Sequence, residues 1–300
     1  MPIRGAPEVV TRTYGAPEPL GAGSLMWDIA GEYRTLLIVP STLLLQVAHP
    51  TVGAAVAQHS CFSADVWGRA IRTGNSMLRY IYGGPLAIAE GHRLRALHRS
   101  FHGTDEQGRP YHALNGEAYA WVNLTLFEQY VTARRLFGRP LTESQQLQLY
   151  AESRQLGRVL QVPEREMPPT LSGYRAYFRY MVANRLENTP AARALLGELR
   201  KPQRPLVLPD RLGPVWPPLR ETLGRVSCLL ALGTIPPPLR ELLGQRWTRA
   251  DQLELAALAA AVRAGHLFLP ERLRYMREVA RVRSARPGPA PRSRPSATVG

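Results

Sequence analysis

Lysine is nearly absent from this chain. Lys201 stands alone among 38 basic residues, so the formal charge of +15 over 300 residues is carried by arginine. So general a preference reads as a composition of the whole chain rather than a binding face. Outside the C-terminal tail the arginines are scattered, which argues against nucleic acid as a partner. Cysteine is scarce too. Cys61 and Cys228 have no metal-ligand spacing, and there is no Cys-x-x-Cys-His, so a disulfide framework, a structural zinc site and covalent haem attachment are all excluded. Two isolated cysteines suit a reducing compartment, and no basic stretch followed by an apolar run opens the chain; a cytoplasmic location is the expectation. Long apolar runs are missing as well. The nearest, 35–57, is broken by Pro40, Gln46, His49 and Pro50, and is expected to be buried core rather than a membrane span.

The common catalytic signatures do not occur. There is no phosphate-binding G-x-x-x-x-G-K-[ST], no dinucleotide G-x-G-x-x-G, no H-E-x-x-H and no G-x-S-x-G. Sustained two-residue alternation and fixed-period repeats are also lacking, which leaves an all-α fold.

What is present is helical spacing with clear stops. Helices are expected over 64–82, ended by Gly83-Gly84-Pro85, and over 86–102, ended by Gly103. A further helix over 116–136 carries the aromatic stripe Tyr119, Trp121, Phe127 and Tyr130, and another starts at Thr142 with capping residues. Shorter helices should follow over 171–186, 190–199, 219–232, 238–243, 250–265 and 271–282. Residues 1–22 read as an irregular arm, 23–283 as one helical domain, and 284–300 as a disordered tail rich in Pro, Arg and Ser.

Histidine placement carries the chemistry. Six of seven histidines fall between residues 49 and 112: His49, His59, His92, His98, His102 and His112. Imidazole is the commonest protein ligand for transition metals and haem iron. His98 and His102, four apart on an expected helix, would share a face. Two arrangements fit. They could bind a non-haem metal together with His112, Asp105 or Glu90. Alternatively, one could face a haem. Arg93, Arg95 and Arg99 surround the pair; they would repel a bare cation but stabilise haem propionates. On the preceding helix, Arg69 and Thr73 are also four apart, with Arg72 beside them. A plain basic helix face is the competing, lesser explanation of the arginines, and a surface pair with Asp65 is that of Arg69. His49 and His59 are expected to make hydrogen bonds in the core.

Four runs in order then carry a resemblance: LLLQVAHPTVGAAVAQHSCFSAD at 43–65, RAIRT at 69–73, RALHRSFHG at 95–103 and YHALNGEAYAWVN at 111–123. Over roughly 25–200 the chain resembles the rubber-oxygenase catalytic domain, the family of latex-clearing proteins and MpaB-type oxygenases. The resemblance implies a globin-like multi-helix bundle around a buried, non-covalent b-type haem. It implies oxidative cleavage of C=C bonds in isoprenoid chains by dioxygen, and His98 of Arg95-x-x-His98 as the iron ligand. Arg69 and Thr73 would then polarise dioxygen on the opposite face, with Arg72 and Arg95 also lining the haem. Apolar residues of 43–56 and the helix near Trp121 would hold an apolar small-molecule substrate.

Three departures stand out. The position of a lysine that can cap the iron in latex-clearing proteins holds Arg72. Asn123 replaces the histidine many MpaB-type members carry after Trp-Val, and 49–59 has no carboxylate to act as a base. Non-haem metal catalysis, and a non-catalytic helical binding protein whose basic tail contacts nucleic acid, remain the alternatives.

Overall fold

The computed structural model describes residues 16–59, 66–204 and 209–284. The N-terminal residues 1–15 of the expected arm, Cys61, Asp65 and the tail 285–300 lie outside the described residues.

The chain runs as α1 (Leu25–Ile29), a 3-10 turn (Tyr33–Ile38), α2 (Val39–Val47), α3 (Pro50–His59), α4 (Val66–Tyr82) and α5 (Leu86–His98). A two-stranded hairpin, β1 (His102–Thr104) and β2 (Pro110–His112), interrupts the helices before α6 (Gly116–Phe137) and α7 (Glu143–Val159). Then come α8 (Leu171–Asn184), α9 (Pro190–Arg200), α10 (Trp216–Thr234), α11 (Pro237–Leu242), α12 (Arg249–Phe268), α13 (Glu271–Arg274) and α14 (Arg277–Ser284). The fold is predominantly helical, as the spacing predicts.

Local chemistry sets the boundaries. Thr142 accepts from the Gln145 N–H while the Gln145 side chain accepts from the Thr142 N–H, and Thr248 and Asp251 repeat this reciprocal cap on α12. Glu152 on α7 caps α1 from a distance, accepting from the N–H groups of Leu25 and Met26 at 2.8 and 2.7 Å. Gly84, at φ +52°, turns α4 back on α5.

The hairpin corrects the expected helix over 86–102. Asp105 accepts from the N–H groups of Gln107 and Arg109, and Gly108 takes φ +77°, closing a turn that pairs His102 with His112. The gain of an antiparallel pair outweighs continuation of α5 past His98.

The core has three parts. Met26, Trp27, Tyr80, Phe127, Tyr150 and Tyr174 pack between α1, α4, α6, α7 and α8. Leu44, Leu45, Trp121 and Leu195 join α2 and α6 to α9. Phe137, Leu230 and Leu255 join α6 and α10 to α12. The run 35–57 contributes buried Ile38, Leu44, Leu45 and Val47, in line with a core assignment. Among the described residues no single helix is long and apolar enough to cross a membrane.

Candidate functional site

α4 and α5 form an antiparallel hairpin whose tight end is fully answered. Buried Glu90 accepts hydrogen bonds from Ser76 and, at 2.8 Å, from Arg93 Nε; Arg79 lies at 3.9 Å. Those bonds hold the Glu90 carboxyl below its ordinary value, Arg93 contributing most. Gly91 lets α5 touch α7, since a Cβ there would meet the Val159 carbonyl oxygen at 2.1 Å.

The other end opens. On α4, Thr73, Ser76 and Tyr80 share one stripe; Ser76 and Tyr80 are buried, whereas Thr73 is exposed. On α5, Ala87 and Gly91 are buried, whereas Leu94 and His98, further along the same stripe, are half-buried. On α3, Gly53 and Ala54 are buried, whereas Ala57 and Gln58 are exposed. Three inward faces thus lose cover toward the same end.

The hairpin of β1 and β2 ties this end together. Gln58 donates to the Thr104 carbonyl at 2.7 Å and accepts from Tyr111 OH at 2.7 Å, and His59 Nε2 donates to the His102 carbonyl at 3.3 Å. Phe101 lies between two imidazoles, stacked on His59 at 4.8 Å and edge-on to His98 at 5.6 Å. Tyr119 of α6 meets His98 edge-on at 6.0 Å.

His98 is the distinctive group. Its Nδ1 lies 2.7 Å from the Leu94 carbonyl oxygen. A carbonyl only accepts, so Nδ1 carries the proton and Nε2 keeps its lone pair. Nε2 makes no hydrogen bond among the described residues. Burial, aided by nearby Arg93, holds the ring below its ordinary value of 6.5, so it is neutral at pH 7. A neutral imidazole fixed through Nδ1 and free at Nε2 is the form that binds a metal or haem iron.

The other expected site residues are placed unevenly. Arg95 donates to the Gln161 carbonyl at 3.2 Å, and Arg72 is exposed on α4 near Thr73. Continued at equal rise from the Ser76–Glu90 contact, the antiparallel hairpin sets His98 level with about residues 68–71 of α4, the turn that contains Arg69. The Arg69 side chain lies outside the described residues.

His98 and His102 do not share a helix face, because α5 ends at His98 and His102 pairs with His112 in the hairpin. Among the described residues no three His, Cys, Asp or Glu side chains gather to hold a metal ion. Each proposed third ligand is otherwise engaged: Glu90 by Arg93, Asp105 by Arg109, and His112 by the Leu114 N–H. The non-haem arrangement therefore loses its geometry.

Trp121 is fully buried and donates to the Leu45 carbonyl at 2.8 Å; it is a core pillar rather than a substrate wall. Leu44, Leu45 and Val47 are likewise packed in the core. Asn123 is buried, donating to the Ser153 carbonyl at 3.2 Å. His49 matches its expected core role, 1% exposed with Nε2 3.1 Å from Glu117 Oε1, whereas His59 does not: it is exposed at the end of α3 and bonds the hairpin instead.

The family signature of mpaB and mpaB′ (ER-bound oxygenases) and of rubber oxygenase, catalytic domain, matches residues 27–264. The chain belongs to this family. The match continues past residue 200, where the sequence resemblance stops, through α10, α11 and most of α12. An oxygenase catalytic domain implies dioxygen and a substrate as reactants. Two mycobacterial proteins are similar, both described as uncharacterized: Mb2261 of Mycobacterium bovis and Rv2237 of Mycobacterium tuberculosis. Each is 22% identical over 242 residues, covering 79% of this chain and 91% of its own length. No solved structure matches the chain.

Reasoning from sequence missed Phe101, Tyr119 and the Leu94 carbonyl. The carbonyl four residues back is available to any histidine in the last turn of a helix, so ending α5 at His98 would have identified it. Phe101 needed the hairpin, which the short polar stretch 104–109 concealed.

Proposed function

We propose that the chain is a b-type-haem-dependent oxygenase that uses dioxygen to oxidise an apolar small molecule, of which an isoprenoid is the leading class. The single observation that carries this reading is His98, with Nδ1–H held by the Leu94 carbonyl and Nε2 unengaged among the described residues at an open end of the bundle. The residues present fit a haem. Half-buried Leu94 shares the stripe of His98 and offers apolar surface beside it, and Arg72 and Arg95 offer positive charge for propionates.

When bound, the haem iron supplies the activation of dioxygen and the oxidation of the substrate. The protein's part is positional and electrostatic. His98 presents the Nε2 lone pair, and the Leu94 carbonyl prevents the ring from turning away. Because burial keeps His98 neutral, no proton competes for that lone pair at pH 7. Arg69 and Thr73 would donate hydrogen bonds to dioxygen from α4. Arg72 stands where latex-clearing proteins carry a lysine that can cap the iron, and a guanidinium is a poor iron ligand. Phe101 and Tyr119 wall the site and exclude water from the His98 side.

The test is haem content. Full-length protein made with ample haem should carry b-type haem, and His98→Ala should lose it while keeping its far-ultraviolet circular dichroism. Equal haem in both proteins, with an unchanged spectrum, would remove His98 as the ligand.

A further inference from the structure

Where α12 meets α13, an apolar tip stands among exposed arginines. α12 ends on Leu267 and Phe268, 75% and 87% exposed, and Leu269 and Leu273 follow, also exposed. The tip is held by its own backbone: the Leu273 N–H donates to the Pro270 carbonyl at 2.9 Å, and Arg274 Nε donates to the Leu269 carbonyl at 2.8 Å. A backbone bridge between Glu32 and Tyr275 lays this segment against the 3-10 turn, which adds exposed Tyr33 to the patch. Single exposed apolar side chains are ordinary; five together mark a contact surface. α14 follows, with Arg277 and Arg281 four apart on one exposed face. Of the arginines between 271 and 284, Arg274 and Arg283 are engaged within the chain, whereas Arg272, Arg277 and Arg281 make no ion pair among the described residues. Two carboxylates oppose them: Glu278, and Glu271, which already pairs with Arg283. In sequence, 285–300 adds Arg286, Arg292 and Arg294 and no acidic side chain.

We propose that this corner docks on an anionic phospholipid bilayer, with Phe268 and its neighbouring leucines entering the boundary between headgroups and acyl chains, and Arg272, Arg277 and Arg281 set against lipid phosphates. Charge decides the occupant. A second copy would bring the same unpaired arginines onto one another, and the tail is itself basic; like charge repels both. A nucleic acid would answer the arginines but leave the phenyl ring and the leucines in water. An anionic bilayer answers both, because apolar side chains flanked by cations are what its interface takes up. Among the described residues no single helix is long and apolar enough to span, so this attachment is interfacial and reversible. Each arginine near such a surface is worth about a fivefold gain in affinity. The corner adjoins the tight end of the α4–α5 hairpin and not the His98 end: a Cβ on Gly31 would meet Val279 of α14 at 2.5 Å and the Tyr82 hydroxyl at 2.8 Å. Docking therefore needs no haem and does not rest on the oxygenase reading.

Full-length protein should co-sediment with phosphatidylcholine vesicles containing about 30% phosphatidylserine, at least about tenfold more tightly than with phosphatidylcholine alone, and should be released as salt rises from about 0.1 to about 0.5 M. Phe268→Ser, which leaves the charge unchanged, should weaken binding at least about tenfold, and so should the triple variant Arg272→Glu, Arg277→Glu, Arg281→Glu. All four side chains are exposed, so the circular dichroism should not change. The triple variant Arg165→Glu, Arg246→Glu, Arg249→Glu alters exposed residues elsewhere and lowers the net charge equally; it should cost less than about threefold. Equal loss in the two triple variants assigns binding to overall charge and overturns the proposal. So does a failure to bind either vesicle, or binding that Phe268→Ser leaves unchanged. A dimer in sedimentation velocity that Phe268→Ser abolishes gives the corner to a second copy, and binding to duplex DNA in place of the vesicles gives it to a polyphosphate; each overturns the lipid assignment.

Discussion

The two ends of the α4–α5 hairpin differ in how completely their polar groups are answered. At the tight end Ser76, Arg79 and Arg93 converge on Glu90, and the inward stripes are sealed against α6 and α7. At the open end Thr73 is exposed, and the half-buried His98 ring has Nδ1 engaged and, among the described residues, Nε2 not. The same pair of helices thus serves two purposes. One end holds the fold together, where an unmatched polar group costs about 1–3 kcal/mol. The other leaves a polar atom unmatched where a ligand can take it up. His49 is more deeply buried than His98; Glu117 engages its Nε2, and its Nδ1 is buried without a hydrogen-bond partner among the described residues, sealed from any ligand.

Substitutions at the two ends should separate haem binding from stability. The largest effect is expected at the open end, where His98→Ala should lower haem affinity by at least about 100-fold, read by haem titration, with the urea midpoint of the haem-free protein nearly unchanged. If stability falls and haem affinity does not, the two ends have been assigned the wrong way round.

The converse substitution is in the core. Trp121→Ala removes a fully buried indole and its bond to the Leu45 carbonyl, and should cost about 3–5 kcal/mol in urea unfolding. The fraction that remains folded should bind haem normally. At the tight end, Glu90→Gln should cost about 1–3 kcal/mol by leaving Arg93 and Ser76 without their ionised partner. Its haem stoichiometry should stay that of the parent.

Acid should act through His49. Burial, its first cause, holds its ring below 6.5 in the fold, against the opposing pull of Glu117. The unfolded chain therefore binds the extra proton first. The contribution of His49 to stability is complete above pH 6.5 and is lost as the pH falls below that value toward the depressed folded one. His49→Gln should flatten this segment of the stability–pH curve. Smallest of all, Thr73→Val should shift stability by no more than about 0.5 kcal/mol, because Thr73 is exposed, while accelerating autoxidation of the ferrous haem protein. An unchanged autoxidation rate would exclude Thr73 from contact with dioxygen.

Much of this was legible in the chain. The stop at Gly83-Gly84-Pro85, the cap at Thr142 and the aromatic period of α6 are local signals, and local signals set helix boundaries. Arg69, Thr73, Arg95 and His98 became candidates because spacing and order survive in one dimension; their roles await substitution. Trp121 misled for the same reason. Its place in an aromatic stripe does not say whether a ring faces a cavity or fills the core, and the Leu45 carbonyl, 76 positions away in sequence, decides that. The pairing of His102 with His112 was hidden because a three-residue strand carries too few residues to show alternation.

The most direct test of the central claim is the visible absorption spectrum of the full-length protein purified after expression with ample haem, quantified as the pyridine haemochrome. A strong Soret band with about one b-type haem per chain is the predicted result. A folded protein that stays haem-free, even when haem is added back, would contradict the assignment of His98 as an iron ligand and of the open end as an oxygenase site.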